Sequence, residues 1–283
     1  MFHIVNGWCG NWWLDRIAAF EERNYLFKGG LLVAAFCWFW FAADERRRAA
    51  NRRTIVAVLI GTVLALSINR GMASLLPFRV RPMYLADIGY HAPSLNFPFN
   101  LEHWSSFPSD SATFWLALSF GLFRLSKPLG VVCMVYSTLW MCLVRLYLGI
   151  HYPSDLVAGG LLGVLVVWGV DALLAARDGA IGTVIMRRVT AMERRYPNWF
   201  YAAGFLVAFE LTMVFDNVRS LLHVVRLGVG ALASLETAQF WTAVAVAILV
   251  VACLMGWLLG AARRRAGTVE HAHRIGTGPA VPG

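Results

Sequence analysis

Charge is scarce in this chain: 14% of its 283 residues are Asp, Glu, Lys or Arg, against 59% hydrophobic. Soluble domains carry about a quarter charged residues, so that class is excluded. Short segments of alternating hydrophobicity are also missing, which excludes a transmembrane β-barrel, whose strands run for about ten residues. The five cysteines form no CxxC pair. Cys37, Cys133, Cys142 and Cys253 lie in apolar runs, where a thiol behaves as a small hydrophobe, and Cys9 stands apart. Structural zinc and a disulfide-stapled ectodomain are therefore not expected. Residues 1–28 hold Asp15, Arg16, Glu21, Glu22, Arg23 and Lys28 rather than an apolar core after a basic start, so no cleavable signal peptide is expected.

Apolar residues come in long blocks, at 31–43, 54–68, 156–176 and 240–262. Segments near 20 residues match a hydrocarbon layer about 30 Å thick. The fold class is therefore all-α, a polytopic transmembrane helical bundle. Seven spans are expected, at residues 26–44, 54–70, 112–125, 128–147, 155–176, 198–216 and 238–262, the third starting at Ser109 or Ser111. The formal charge of +9 sits mostly in residues that flank these segments, so anchoring accounts for it and nucleic acid is not an expected partner.

Arg46, Arg47, Arg48, Arg52 and Arg53 separate the first two spans, and Arg124 and Lys127 separate the third and fourth. Arg177, Arg187, Arg188, Arg194 and Arg195 separate the fifth and sixth, and Arg263, Arg264 and Arg265 follow the last. Those four regions alternate in topology and belong inside. The 70–110 loop, the 147–155 turn, the 217–237 loop and the N-terminus then lie outside. In the N-terminal segment Trp8, Trp12, Trp13, Ile17 and Phe20 share one helix face, and Asp15, Arg16 and Glu22 the other. That pattern fits an interfacial amphipathic helix, or a short helix packed on the bundle outside the bilayer. The tail 267–283 is rich in glycine and proline and is expected to be disordered; His271 and His273 there lack structured partners for a metal.

The outer ends of the helices gather chemistry. Arg79 and Arg81 precede Pro82 after the second span, Ser109 precedes the third, and Arg145, His151 and Asp155 follow the fourth. Guanidiniums fork onto phosphate oxygens, which suits Arg81 and Arg145 to anion binding. Ser109 and the N–H groups at the start of the third span extend such a site. His151 and Asp155, four residues apart, share one face of a helical turn. A carboxylate bonded to one imidazole nitrogen fixes the tautomer and leaves the other nitrogen free to attack. The plainer alternative makes these residues anchors, caps or solvated groups, with Pro153 and Asp155 opening a helix. Intramembrane Asp171 and Glu210 are functional candidates by default. Asp216 and Glu236 are too scattered to assign.

Over residues 50–176 these features resemble the type 2 phosphatidic acid phosphatase (PAP2) superfamily of integral-membrane lipid phosphatases and phosphotransferases. Its third signature block, Ser-Arg, then His after five residues and Asp after three more, is met by Arg145, His151 and Asp155, with Val144 in the Ser place. Its first, Lys, six residues, Arg-Pro, keeps Arg81 and Pro82 but has Ser74 for Lys; Arg79 or Arg70 would have to supply that charge. Its second, Pro-Ser-Gly-His, reads Pro108, Ser109, Asp110 and Ser111. The resemblance implies catalysis without metal or other cofactor. His151 would be the nucleophile that forms a phosphohistidine, Asp155 its orienting partner, and Arg81, Ser109 and Arg145 the phosphate clamp. It also implies a His at position 111 as general acid. A serine hydroxyl cannot replace it directly, and acid help is worth about 10² to 10⁴ in rate. A good leaving group needs less of that help, which favours a polyprenyl-type lipid diphosphate over a monoester. His103 with Glu102, and His91, are the other candidate acids, and Arg79, Asp110 and Ser111 are candidate auxiliaries.

The expected organisation is an N-terminal amphipathic segment (1–25), a PAP2-like core (26–176), two extra helices with connecting loops (177–262) and a tail (263–283). The expected function is a lipid phosphatase or phosphotransferase at the outer, periplasmic face of a bacterial cytoplasmic membrane. Its partners would be membrane lipids, a phosphorylated lipid substrate and, for transfer, an acceptor lipid or sugar in a groove built by the 83–107 loop. A non-catalytic phosphate-recognising protein, in lipid binding or transport, is the alternative, and a purely structural bundle partner is a third. The topology predicts that tags at residues 50 and 90, probed in intact cells, report opposite sides; the same side for both overturns it.

Overall fold

The computed structural model describes residues 2–97, 101–175 and 180–213, which are helix and loop throughout. Two short helices lead, α1 (Phe2–Asn6) and α2 (Trp12–Arg23), the second capped by the Asn11 side chain. A π-helical turn, Leu26–Gly30, runs into α3 (Leu31–Trp40). Then come α4 (Glu45–Leu75), α5 (Asp110–Leu125) and α6 (Lys127–Tyr136). A second π turn, Ser137–Cys142, joins α6 to α7 (Leu143–Tyr147). The series closes with α8 (Pro153–Ala175), α9 (Ala180–Arg195) and α10 (Pro197–Thr212).

Among the described residues, Glu45–Leu75, Lys127–Tyr147 and Pro153–Ala175 are long and apolar enough to cross a membrane, and Leu26–Trp40 is a shorter apolar helix. The 23 residues of α8 extend about 34 Å at about 1.5 Å each, enough for the hydrocarbon layer. The protein is integral to the membrane. On α8, Val157, Leu161, Leu165 and Trp168 are exposed at helical spacing, a stripe that suits lipid. Helix α5, only 16 residues long, sits at the centre. Its Phe114, Trp115, Ala117, Leu118 and Leu122 are buried against α4, α6 and α8.

Close approach of α5 and α8 depends on missing side chains. A Cβ at Gly159 would stand 2.2 Å from the Ser109 carbonyl oxygen, and one at Gly163 2.2 Å from that of Thr113. The two helices are also tied at both ends. Ser109 N–H donates to the Asp155 carbonyl at 3.1 Å, and Arg124 Nε donates to Asp171 Oδ2 at 2.8 Å. Asp171 therefore joins helices at the end away from the site. Nearby, Arg52 of α4 pairs with Glu193 of α9 at 2.8 Å, and Tyr201 of α10 donates to the same carboxylate at 2.6 Å.

Several expectations are revised. The connection before the sixth span is the helix α9, whose many charges concealed a stretch free of proline. The first and sixth spans are shorter at their C-terminal ends than expected, closing at Trp40 and Thr212. Glu210 lies on α10. The expected 217–237 loop, the span 238–262 and the tail lie outside the described residues, with Asp216, Glu236, Cys253, Arg263, Arg264, Arg265, His271 and His273.

The N-terminal helices dock at the same end as His151. Asn6 Nδ2 donates to the carbonyls of Tyr147 (2.9 Å) and His91 (3.0 Å), and Asp15 accepts from Ser94 N–H (2.7 Å) and from the Tyr147 hydroxyl. Asp15 is thus buried while Trp12, Trp13, Ile17 and Phe20 face outward. Polar groups point into the protein and aromatics away from it, an arrangement that suits the headgroup level. The glycine contacts make a prediction: Gly163→Ala should destabilise the purified protein by about 1–3 kcal/mol through overpacking. Gly169→Ala, where nothing lies within 4 Å, should not. Thermal unfolding in detergent reads the difference.

Candidate active site

Two loops meet above α5 and α8. The first leaves α4 and makes a short 3₁₀ turn at Pro82–Tyr84, directly after Arg81. Met83 N–H donates to the Gly149 carbonyl at 2.9 Å, which seats this loop on the 148–152 turn. Gly149 itself has φ +68°, a left-handed conformation that glycine adopts without strain. Pro153 then opens α8, and Asp155 reaches back to accept from Tyr152 N–H at 2.9 Å, half of a capping box.

His151 is 2% exposed. Its Nδ1 lies 2.8 Å from the Ser106 carbonyl oxygen and 3.8 Å from Asp155 Oδ2. A carbonyl only accepts, so Nδ1 carries the proton and Nε2 keeps its lone pair. That lone pair stands 3.4 Å from Arg81 Nη1. Loss of water pushes the His151 pKa below the ordinary imidazole value; the nearby Asp155 carboxylate opposes this and the Arg81 charge adds to it.

Arg81 is buried by its own bonds: Nη1 to the Ile150 carbonyl (3.0 Å), Nε to that of Trp104 (3.2 Å) and Nη2 to that of Ser105 (3.3 Å). Asp155 is wholly buried and accepts from the Ser106 hydroxyl, Tyr152 N–H and Arg79 Nη1, the last at 2.6 Å. Arg79 also donates to Ser154 at 2.9 Å and stacks 4.0 Å over the Tyr152 ring. Ser109, fully buried, caps α5 by accepting from Ala112 N–H at 3.3 Å.

Against known proteins, the PAP2 superfamily profile matches residues 72–177. The chain is 30% identical over 145 residues to the bacitracin transport permease protein BcrC of Bacillus licheniformis, covering 51% of this chain and 63% of that protein. It is 30% identical over 158 residues to YbjG of Escherichia coli (strain K12), named as a candidate undecaprenyl-diphosphatase, covering 54% of this chain and 70% of that one. The chain belongs to the PAP2 superfamily. No solved structure matches it.

The PAP2 positions are distributed unevenly. His151, Asp155, Arg81 and Ser109 come together, and Arg79, a candidate substitute for the family's Lys, joins them through Asp155. Arg145 instead donates from Nη1 to Glu22 Oε1 on α2, and Glu22 also pairs with Lys28 at 3.0 Å. Glu21 is buried beside them, its carboxyl held above the usual range by loss of water, with Arg145 and Lys28 pulling the other way. Asp110, the first residue of α5, pairs with Arg70 at 2.8 Å and accepts from Ser111 N–H at 2.8 Å. Ser111 is half-buried on the same turn. His103 and Glu102 lie exposed at 101–104, and no hydrogen bond joins His103 to a site residue among those described. His91 is held through its backbone by Asn6.

Sequence reasoning missed Ser106, whose N–H donates to the Arg79 carbonyl at 2.8 Å while its hydroxyl and carbonyl serve Asp155 and His151. It also missed Trp104 and Glu22. For His151 the geometry predicts an NMR spectrum of the Nδ1–H tautomer that titrates below about 6.5, the signal being assigned by its loss in His151→Ala. The unfolded chain takes up that proton at the ordinary value and the folded chain only at lower pH. Stability from this group is therefore lost as pH falls through that window and regained as it rises. Titration at or above the ordinary value overturns the assignment.

Proposed function

We propose that the protein is a lipid phosphatase or phosphotransferase acting at the outer, periplasmic face of a bacterial cytoplasmic membrane. Its substrate is a lipid diphosphate of polyprenyl type or a lipid monophosphate, and its intermediate a phosphohistidine. The observation that carries this reading is the lone pair on His151 Nε2 beside Arg81, with Nδ1 committed to the Ser106 carbonyl. Nε2 forms a bond to the terminal phosphorus as the bond to the bridging oxygen breaks, and the electron pair leaves with the lipid. Water, or an acceptor hydroxyl in the transferase form, then bonds to that phosphorus as the P–Nε2 bond breaks, its electron pair returning to Nε2 and the nucleophile's proton passing to solvent. Arg81 and the N-terminus of α5 behind Ser109 offset charge on the phosphoryl oxygens. Asp155 offsets the charge that develops on the imidazole ring. For transfer, the acceptor fits a cavity of about 330 Å³ lined by Met83, Tyr90, Ser94 and Phe97 of the outer loop that carries Arg81 and by Leu148 of the 148–152 turn. The diphosphatase named for YbjG supports the diphosphate substrate.

A second reading, a phosphate-recognising transport or lipid-binding component without catalysis, draws on the ion pair that occupies Arg145 and on the transport role named for BcrC. Turnover separates the two. Purified protein should release phosphate from a C55-type lipid diphosphate in EDTA, and His151→Ala should reduce release to background. Equal turnover by both proteins overturns the nucleophile assignment. Lipid diphosphate binding without turnover supports the second reading.

A further inference from the structure

Arg70 takes no part in the steps above, yet it stands against the site. It lies on the last turns of α4, with Nη2 2.8 Å from Asp110 Oδ2. Its guanidinium covers the Trp104 ring at 4.6 Å from the centroid, while Arg81 Nε donates to the carbonyl of that same residue. Trp104 therefore separates two guanidiniums at different depths. Arg81 is 6% exposed, whereas the Arg70 side chain is 39% exposed and that of Asp110 23%. The buried Arg81 feels the charges of both Asp110 and Arg70, so the three groups share one field.

A lipid diphosphate must enter with its terminal phosphate foremost, because that phosphorus is the one His151 attacks. The phosphate that carries the lipid then remains at the mouth, at the depth of Arg70. Arg79 is equally exposed but is fixed on the buried Asp155, on Ser154 and over Tyr152. The Arg70 partner, Asp110, is partly in water, where exchange of one anion for another costs less. We infer that Arg70 binds the lipid-bearing phosphate, exchanging Asp110 for its oxygens, and stabilises it as the leaving group.

This rests on the phosphatase reading and names the group that selects diphosphates within it. When the phosphorus–oxygen bond breaks, its electron pair stays on the former bridging oxygen, and the lipid departs as a monophosphate with one more anionic oxygen. A guanidinium meets that charge directly, so no proton need be delivered in the same step. Ser111, where the family has its acid, then carries no burden for this substrate. An alkoxide leaving group offers Arg70 no phosphate to hold.

The test is anion selectivity in the full chain, purified in detergent and titrated calorimetrically with inorganic diphosphate and with orthophosphate. Wild type should bind diphosphate more tightly by about tenfold or more, as expected for an added charge-assisted contact. Arg70→Gln should bring the two affinities together, and Arg70→Lys should keep part of the difference, because an ammonium retains the charge and loses the fork. A merely structural role would weaken both anions alike and leave their ratio unchanged, which overturns the inference, as does wild type that binds neither. Arg70→Lys also covers the case in which Arg70→Gln fails to fold. The lost ratio in Arg70→Gln without turnover in wild type sinks the catalytic reading alone. His151-dependent turnover with an unchanged ratio sinks this inference alone.

Discussion

The Asp155 carboxylate is wholly buried at the first turn of α8, and a charge taken out of water must be met by donors or neutralised. Its donors come from segments far apart in the chain: Arg79, the Ser106 hydroxyl and Tyr152 N–H. The helix N-terminus behind it adds partial positive charge. Satisfying this one carboxylate therefore brings Arg79 and Ser106 together beside the 148–152 turn. Once Ser106 is there, its carbonyl lies within reach of His151 Nδ1. Asp155 thus orients the imidazole through Ser106 more than by direct contact, since its own oxygen stands 3.8 Å away.

The helices make that assembly possible through backbone proximity. Gly159 and Gly163 let α8 lie against α5 so closely that Ser109 N–H reaches the Asp155 carbonyl. The residue that caps α5 and the residue that anchors the site are thereby bonded directly. Asn69 of α4 joins the same base, donating to Thr113 Oγ1 at 2.9 Å. A membrane bundle lacks a hydrophobic drive between its helices, so contacts of this kind, small residues and buried polar pairs, hold the site end together.

Much of this was legible. The i, i+4 pair of His151 and Asp155, and Pro153 between them, are local features that a turn opening a helix preserves. Helix existence in apolar runs follows from composition. What stayed hidden depends on backbone atoms and on partners remote in sequence. The Ser106 carbonyl carries no side-chain signal, so nothing in "SSFPSD" marked it above Ser109. Glu22 lies 123 residues from Arg145, beyond any spacing rule. Arg70 was out of register with the family's Lys, yet Ser74 is one helical turn further on and bonds back to the Arg70 carbonyl at 2.9 Å. The Arg70 guanidinium nevertheless reaches the first residue of α5, pairing with Asp110 at 2.8 Å.

The ion pair at Arg145 bears on what the site can do. Glu22 comes from α2, outside the region that matches the family, and it holds a guanidinium that the family's pattern assigns to phosphate. Among the described residues the guanidinium against His151 is that of Arg81, while Arg79 is held on Asp155 and Arg70 on Asp110. On the proposed reading, a terminal phosphate that reaches Arg81 would meet one buried cation and an imidazole, with no acid beside them for an alkoxide leaving group. A substrate whose leaving group brings its own phosphate would recruit Arg70 as a further cation. Within that proposal, Ser111 in place of the acid and the pairing of Arg145 with Glu22 argue for the same substrate, one with two phosphates in line.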